Sequence, residues 1–228
     1  MTTIRIGMLL FPRLTQLDLT GPFEVFAKWP DASVHLLWKT CEPVTAETGM
    51  RILPDTTLAE CPQLDVLCVP GGPGVSAVME DVEVLAFLRK QASGARFVTS
   101  VCTGALVLGA AGLLRGKRAT THWASHDLLS AFGAIPTKER VVRDGNVITG
   151  GGVTAGIDFA LTVVAEIAGP EVAQGIQLQI EYAPSPPFDA GSPETAPSDV
   201  LSSALRRYAN TRAAREELVA RIGRTLAQ

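Results

Sequence analysis

The stretch Phe97-Val98-Thr99-Ser100-Val101-Cys102-Thr103-Gly104-Ala105-Leu106 decides how this chain is read. Its first five residues favour a strand, and a small-residue helical pattern opens at Gly104 with no linker between the two. Cys102 is therefore expected at the tip of a sharp strand-to-helix turn, the geometry of the nucleophile elbow in hydrolases. A thiol there meets the N–H groups of a helix N-terminus, which are expected to favour thiolate over thiol and to stabilise negative charge developing on a substrate. A cysteine at a strand end is ordinarily a small buried hydrophobe. Here the elbow context, Gly104 close behind, and a second glycine turn argue for a reactive group.

That second turn is Val69-Pro70-Gly71-Gly72-Pro73-Gly74, directly after an apolar run ending at Val69, and it is placed to bring a backbone N–H beside the thiol. Outward from the two turns, short β-rich runs alternate with helical patterns. Strands are expected at Ile4–Phe11, Val34–Trp38, Val66–Val69 and Arg96–Val101, and helices at Leu19–Ala27, Val84–Ala92 and Gly104–Leu114. This alternation predicts an α/β fold, a flavodoxin-like three-layer sandwich with a mainly parallel sheet, helices on both faces and the site at the carboxyl ends of the strands.

Further on, a helix is expected from Ser125 to about Phe132. Arg140–Thr149 reads as a hairpin, since Asp144-Gly145 supplies the positive-φ residues of a tight turn. After Gly150-Gly151-Gly152, Thr154 begins a helix through Ala155–Ile167 whose apolar faces suggest burial, and another helix runs from Glu171 to about Ile180. Residues 183–198 carry five prolines and form an irregular loop, a lid or a linker. Ser198-Asp199 is expected to cap a last helix, ending near Ala227, that packs on the parent domain or a second subunit. The expected organisation is a domain over 1–182, the Pro-rich loop 183–198 and the C-terminal helix 199–228.

With 228 residues, 46% of them hydrophobic, the chain can bury one sizeable core. A net charge of −3 argues against a nucleic-acid partner. The arginines of the last helix, Arg206, Arg207, Arg212, Arg215, Arg221 and Arg224, are partly offset by Glu216 and Glu217 and read as a solvated face. The first residues, MTTIRIGMLLFP, lack the basic and long apolar regions of a secretory signal, and the apolar stretch Gly104–Leu114 is too short to span a membrane, so a cytoplasmic protein without a membrane partner is expected. Cys41, Cys61, Cys68 and Cys102 show no C-x-x-C spacing, which fits neither a disulfide framework nor a structural zinc site. No metal is expected, and Cys68, inside an apolar run, reads as a buried hydrophobe.

A sulfur nucleophile needs a proton partner. His122, in Ala119-Thr120-Thr121-His122-Trp123, is the default; Asp18, between leucines before a helix, and Glu24 are the acids available. The residues alone leave this choice open.

Val101-Cys102-Thr103-Gly104, preceded by Pro70-Gly71-Gly72 and followed by Ala119-Thr120-Thr121-His122-Trp123, resembles the DJ/PfpI superfamily of class I glutamine-amidotransferase-like proteins over about residues 4 to 180. Adding Gln16-Leu17-Asp18-Leu19-Thr20-Gly21-Pro22 and Glu181-Tyr182-Ala183-Pro184 with Pro186-Pro187-Phe188, the combination resembles the isocyanide hydratases within it. The protease branch places a histidine directly after the cysteine, where this chain has Thr103, which counts against peptide hydrolysis. The resemblance implies that an isocyanide takes up water to become an N-substituted formamide, through a Cys102 thioimidate. It implies Asp18 as the acid paired with Cys102, Gly72 and Thr103 as lining of the charge-stabilising pocket, His122 in a supporting position, no cofactor, and a homodimer. Three other readings share parts of the pattern: a ligand-sensing domain related to transcription regulators, a redox sensor in which Cys102 oxidises, and a hydratase or hydrolase of another small electrophile. The regulators add two helix-turn-helix units, for which the single helix after the proline loop is too little.

Overall fold

The computed structural model describes residues 3–226. Eleven strands run in the order β1 (Ile4–Leu9), β2 (Ala32–Trp38), β3 (Val44–Thr45), β4 (Arg51–Ile52), β5 (Thr56–Thr57), β6 (Val66–Val69), β7 (Phe97–Val101), β8 (Arg118–Ala119), β9 (Ile135–Pro136), β10 (Val141–Asp144) and β11 (Val147–Gly150). The helices are α1 (Gln16–Ala27), α2 (Val75–Val78), α3 (Val82–Ala92), α4 (Gly104–Ala110), α5 (Ala155–Ala168), α6 (Pro170–Gln179) and α7 (Ser198–Leu226), with a 3-10 helix at Trp123–Phe132.

Seven strands form the main sheet, in the order β10-β11-β7-β6-β1-β2-β5. All neighbours are parallel except the β10–β11 hairpin. β6 and β7 are buried along their whole length, as strands covered on both faces must be; β6 is correspondingly apolar, and β7 also buries Thr99, whose hydroxyl donates to the Leu67 carbonyl at 2.8 Å, and Ser100. α1, α5 and α6 pack together as one layer; α4 packs with α2, α3, the 3-10 helix and α7 as the other. The fold is the flavodoxin-like three-layer sandwich. From β1 the chain steps first towards β2 and later returns to lay β6 on the other side, so the direction of winding reverses between β1 and β6. Crevices at such reversals are where open parallel sheets place their ligands.

Several local expectations shift. α1 begins at Gln16, so Asp18 lies inside its first turn instead of before it. α4 stops at Ala110 instead of Leu114, because Gly112 takes a left-handed φ of 79° that a continuing helix cannot use. The segment ending at Phe132 is 3-10, not α, and Gly133 closes it in the left-handed region. α5 is buried on one face only, through Ala155, Phe159, Ala160, Val163 and Val164. Ser198 is the first residue of α7, with no role as its cap; the expected end at Ala227 lies outside the described residues. Residues 183–197 hold no regular structure.

α7 lies back on the rest of the fold. Gly223 lets it approach so closely that a Cβ there would come within 2.3 Å of the Ala131 carbonyl oxygen. Arg212 pairs with Asp127 through both carboxylate oxygens, at 2.8 and 2.6 Å. Arg115 donates to the Leu226 carbonyl at 2.6 Å. The arginine face is thus only partly solvated: Arg206, Arg207, Arg221 and Arg224 are exposed, but Arg215 is buried at 8% exposure.

Candidate active site

Cys102 has φ of 55°, a conformation that costs a non-glycine residue on the order of 1–3 kcal/mol and persists only where its surroundings hold it. Three contacts hold it. Its N–H donates to the Gly151 carbonyl at 2.7 Å and to that of Gly150 at 3.1 Å, and its own carbonyl accepts from the Thr121 hydroxyl at 2.7 Å. Gly104 is required directly behind, since a Cβ would stand 2.1 Å from the Val69 carbonyl oxygen. The elbow is thereby pinned to the ends of β6 and β11 and to the Thr120-Thr121-His122 segment.

Asp18, fully buried, comes from the other side of the reversal point. Its Oδ2 accepts the Gly71 N–H at 2.9 Å, and a side chain on Gly71 would collide with both Asp18 and Thr103. Oδ1 is buried without a hydrogen-bond partner among the described residues, and the Cys102 thiol lies beside the carboxyl. Burial raises the Asp18 pKa to about 7, against the lowering effects of the Gly71 N–H and the thiol. The surroundings of the sulfur act against the expected Cys102 thiolate. Burial, the larger influence, pushes the thiol up and the Asp18 charge adds to it, while the N–H groups of Thr103 and Val153 beside the sulfur offset this only in part. Cys102 and Asp18 thus lie together as two buried acids, with burial favouring the neutral form of each.

Cys102 opens onto a cavity of about 300 Å³ lined also by Thr15, Glu47, Gly72, Thr103, His122, Ser125, Val153, Tyr208, Arg212 and Arg215. A larger cavity of about 970 Å³ borders it, sharing His122, Val153, Tyr208 and Arg212 and reaching Pro193 and Glu194 of the proline loop. Gly72 and Thr103 both line the smaller cavity, but the Gly72 N–H is already donated to Thr103 Oγ1 at 3.0 Å. Val153, unnoticed in the sequence, supplies the N–H next to the sulfur; the Gly150-Gly151-Gly152 run before it was the available signal. His122 is a wall residue. Its Nδ1 accepts from the Ala124 N–H at 3.3 Å, its ring packs against Trp123 and Tyr208, and burial lowers its pKa. Glu24 is exposed and paired with Lys28, away from the thiol. Cys68 is buried, as expected. Among the described residues no cluster of three or more His, Cys, Asp or Glu is arranged to hold a metal, and no helix is long and apolar enough to cross a membrane.

The DJ-1/PfpI family profile matches residues 4–166, which carry the elbow, both glycine turns and Asp18. The chain belongs to the DJ-1/PfpI family. An isonitrile hydratase of Pseudomonas putida is 62% identical over 218 residues, 96% of each chain. The crystal structure of a ThiJ/PfpI family protein from Pseudomonas syringae superposes with a TM-score of 0.93 at 44% identity, covering 98% of this chain and 91% of that one. At 98% coverage a 29-residue helix cannot be left out, so α7 has its counterpart there. The Drosophila melanogaster DJ-1beta structure has a TM-score of 0.73 at 28% identity and covers 80% of this chain and all of its own. The family's common domain is thus shorter than this chain.

Proposed function

We propose that this protein is an isocyanide hydratase, an enzyme of the hydro-lyase class, using Cys102 as nucleophile and Asp18 as its proton carrier. The observation that carries the reading is the pairing of the elbow thiol with a buried, half-bonded carboxyl in place of a histidine. Thr103 stands where a peptidase of this family would place histidine, and the isonitrile hydratase resembles this chain along nearly its whole length.

The reaction balances with these groups alone. The sulfur bonds to the terminal carbon of R–N≡C as the thiol proton passes to Asp18. Asp18 returns that proton to the same carbon, giving the thioimidate R–N=CH–S–Cys102. Water from the cavity adds to this carbon, a proton reaches nitrogen, and collapse of the adduct expels the sulfur, releasing R–NH–CHO and restoring the thiol. Proton transfer by a positioned group of matched acidity contributes about 10²–10⁴-fold, and an Asp18 pKa near neutrality suits a carboxyl that must both accept and donate. The N–H groups of Thr103 and Val153 bear on the sulfur when it leaves with negative charge. No cofactor enters the cycle.

A homodimer, and the cytoplasm, where unpaired thiols persist, complete the reading. The half-buried apolar residues Phe23, Ile157 and Leu161 on neighbouring α1 and α5 support a subunit contact. Formamide release from a neutral alkyl isocyanide tests the chemistry. The intact protein turns over, Cys102→Ala loses at least about 10³-fold, and mass spectrometry of trapped enzyme finds the adduct on Cys102 alone. Unchanged turnover by Cys102→Ala overturns the covalent mechanism.

A further inference from the structure

Arg215 is the one cation of the described residues that is both buried and without an acidic partner. It is 8% exposed, forms no ion pair, and makes a single long hydrogen bond, from Nη1 to Ser125 Oγ at 3.4 Å. Its Nε is buried with no partner at all. Neighbouring Arg212, by contrast, is committed to Asp127. A buried guanidinium left unpaired costs stability, and it lies on the packed face of α7, four residues before Val219, where an apolar side chain would do better.

The cation stands in the wall of the cavity that holds Cys102. The isocyanide group, the thioimidate and the formamide are all uncharged. The one anion of the proposed reaction is the departing sulfur, which has the N–H donors of Thr103 and Val153 and on which the Arg215 charge also bears. A permanent guanidinium exceeds what that passing charge needs, so it concerns the substituent R as well. Nη2 makes no hydrogen bond and the buried Nε has no partner, so the guanidinium keeps donors uncommitted to the protein, the groups with which arginine binds a carboxylate. The remaining charged lining residues are Arg207, Arg212 and Glu47, and Glu47 is engaged by the Thr15 hydroxyl at 2.6 Å.

We propose that Arg215 is a substrate-binding residue that selects isocyanides bearing a carboxylate, with the isocyano carbon presented to Cys102. The proposal rests on the hydratase reading and deepens it. Isocyanoacetate and isobutyl isocyanide have the same number of heavy atoms and differ in the charged end. With intact protein, kcat/KM for isocyanoacetate exceeds that for isobutyl isocyanide by about tenfold or more, mainly through KM. Arg215→Gln raises KM for isocyanoacetate by about tenfold with kcat kept, leaves isobutyl isocyanide within about twofold, and Arg215→Lys recovers part of the loss. Equal losses on both substrates, or no preference in the intact protein, overturn the assignment.

A second readout needs no turnover. Iodoacetate and iodoacetamide both alkylate Cys102 with loss of iodide, and the iodoacetate-to-iodoacetamide rate ratio falls several-fold in Arg215→Gln if the anion site is real. An unchanged ratio sinks the anion site. Absence of turnover with every isocyanide, together with a shifted alkylation ratio, removes the hydratase reading and keeps the anion site. Thermal unfolding of Arg215→Gln at or above the intact protein's midpoint shows that the variant is folded.

Discussion

Asp18 accepts one N–H and lies beside the Cys102 thiol, but burial is the largest influence on its acidity and the Glu47 charge adds to it. With a pKa near 7 in the fold against 3.8 for an unburied carboxyl, the native protein binds more protons than the unfolded chain between those values. Stability therefore declines as pH rises from about 4 to about 7, and Asp18→Asn removes that decline, gaining on the order of 4 kcal/mol at pH 8. Urea unfolding of both proteins at pH 5 and pH 8 measures it. The same ionisation sets the reaction. Below pH 7 thiol and carboxyl are both protonated and nothing can take the thiol proton, so kcat/KM rises with pH through a midpoint near 7 and Asp18→Asn is slowed about 10²-fold or more. A flat profile in the intact protein contradicts the assignment of Asp18 as base.

Elements built on local chemistry were legible in the chain. The β7–α4 elbow and the buried run Val66–Val69 stand where turn residues and apolar runs place them, and the Arg140–Thr149 hairpin forms with its turn at Gly145-Asn146: Gly145 takes the positive φ, whereas Asp144 stays in β10 opposite Val147. Legibility fails where long-range packing decides. Arg215 looks like any arginine of a polar helix until α7 docks on the 3-10 helix; its position on the stripe through Tyr208, Val219 and Ile222 was the only trace. Val153 is hard to read for a related reason: its contribution is a backbone N–H with no side-chain signature, and the Gly150-Gly151-Gly152 run before it was its one trace. The docking of α7 is testable at Gly223. A Leu there gains about 0.8 kcal/mol in helix propensity, but its Cβ must displace the Ala131 carbonyl, a backbone atom that cannot yield cheaply. Overpacking prevails by about 1–2 kcal/mol. Gly223→Leu is expected to unfold at lower denaturant and to be cut sooner by protease within residues 183–197.

Across the whole molecule, the proposed dimer puts Phe23, Ile157 and Leu161 out of water, residues that one chain leaves half-covered. Light scattering is expected to give twice the 24.1 kDa chain mass, and Leu161→Glu to return it to the single-chain value with the secondary structure unchanged. A single-chain mass for the intact protein rules the dimer out. The cavity takes its walls from widely separated parts of the chain, Thr15 and Glu47 early, Cys102 and Val153 midway, Tyr208 to Arg215 late. The order of synthesis then matters. The sheet and the strained elbow are complete once α5 has emerged, whereas α7 follows some thirty residues later. A nascent chain thus carries its sulfur uncovered on that side and without its guanidinium, open to oxidants and indiscriminate among electrophiles, until the arrival of the last helix makes the pocket selective.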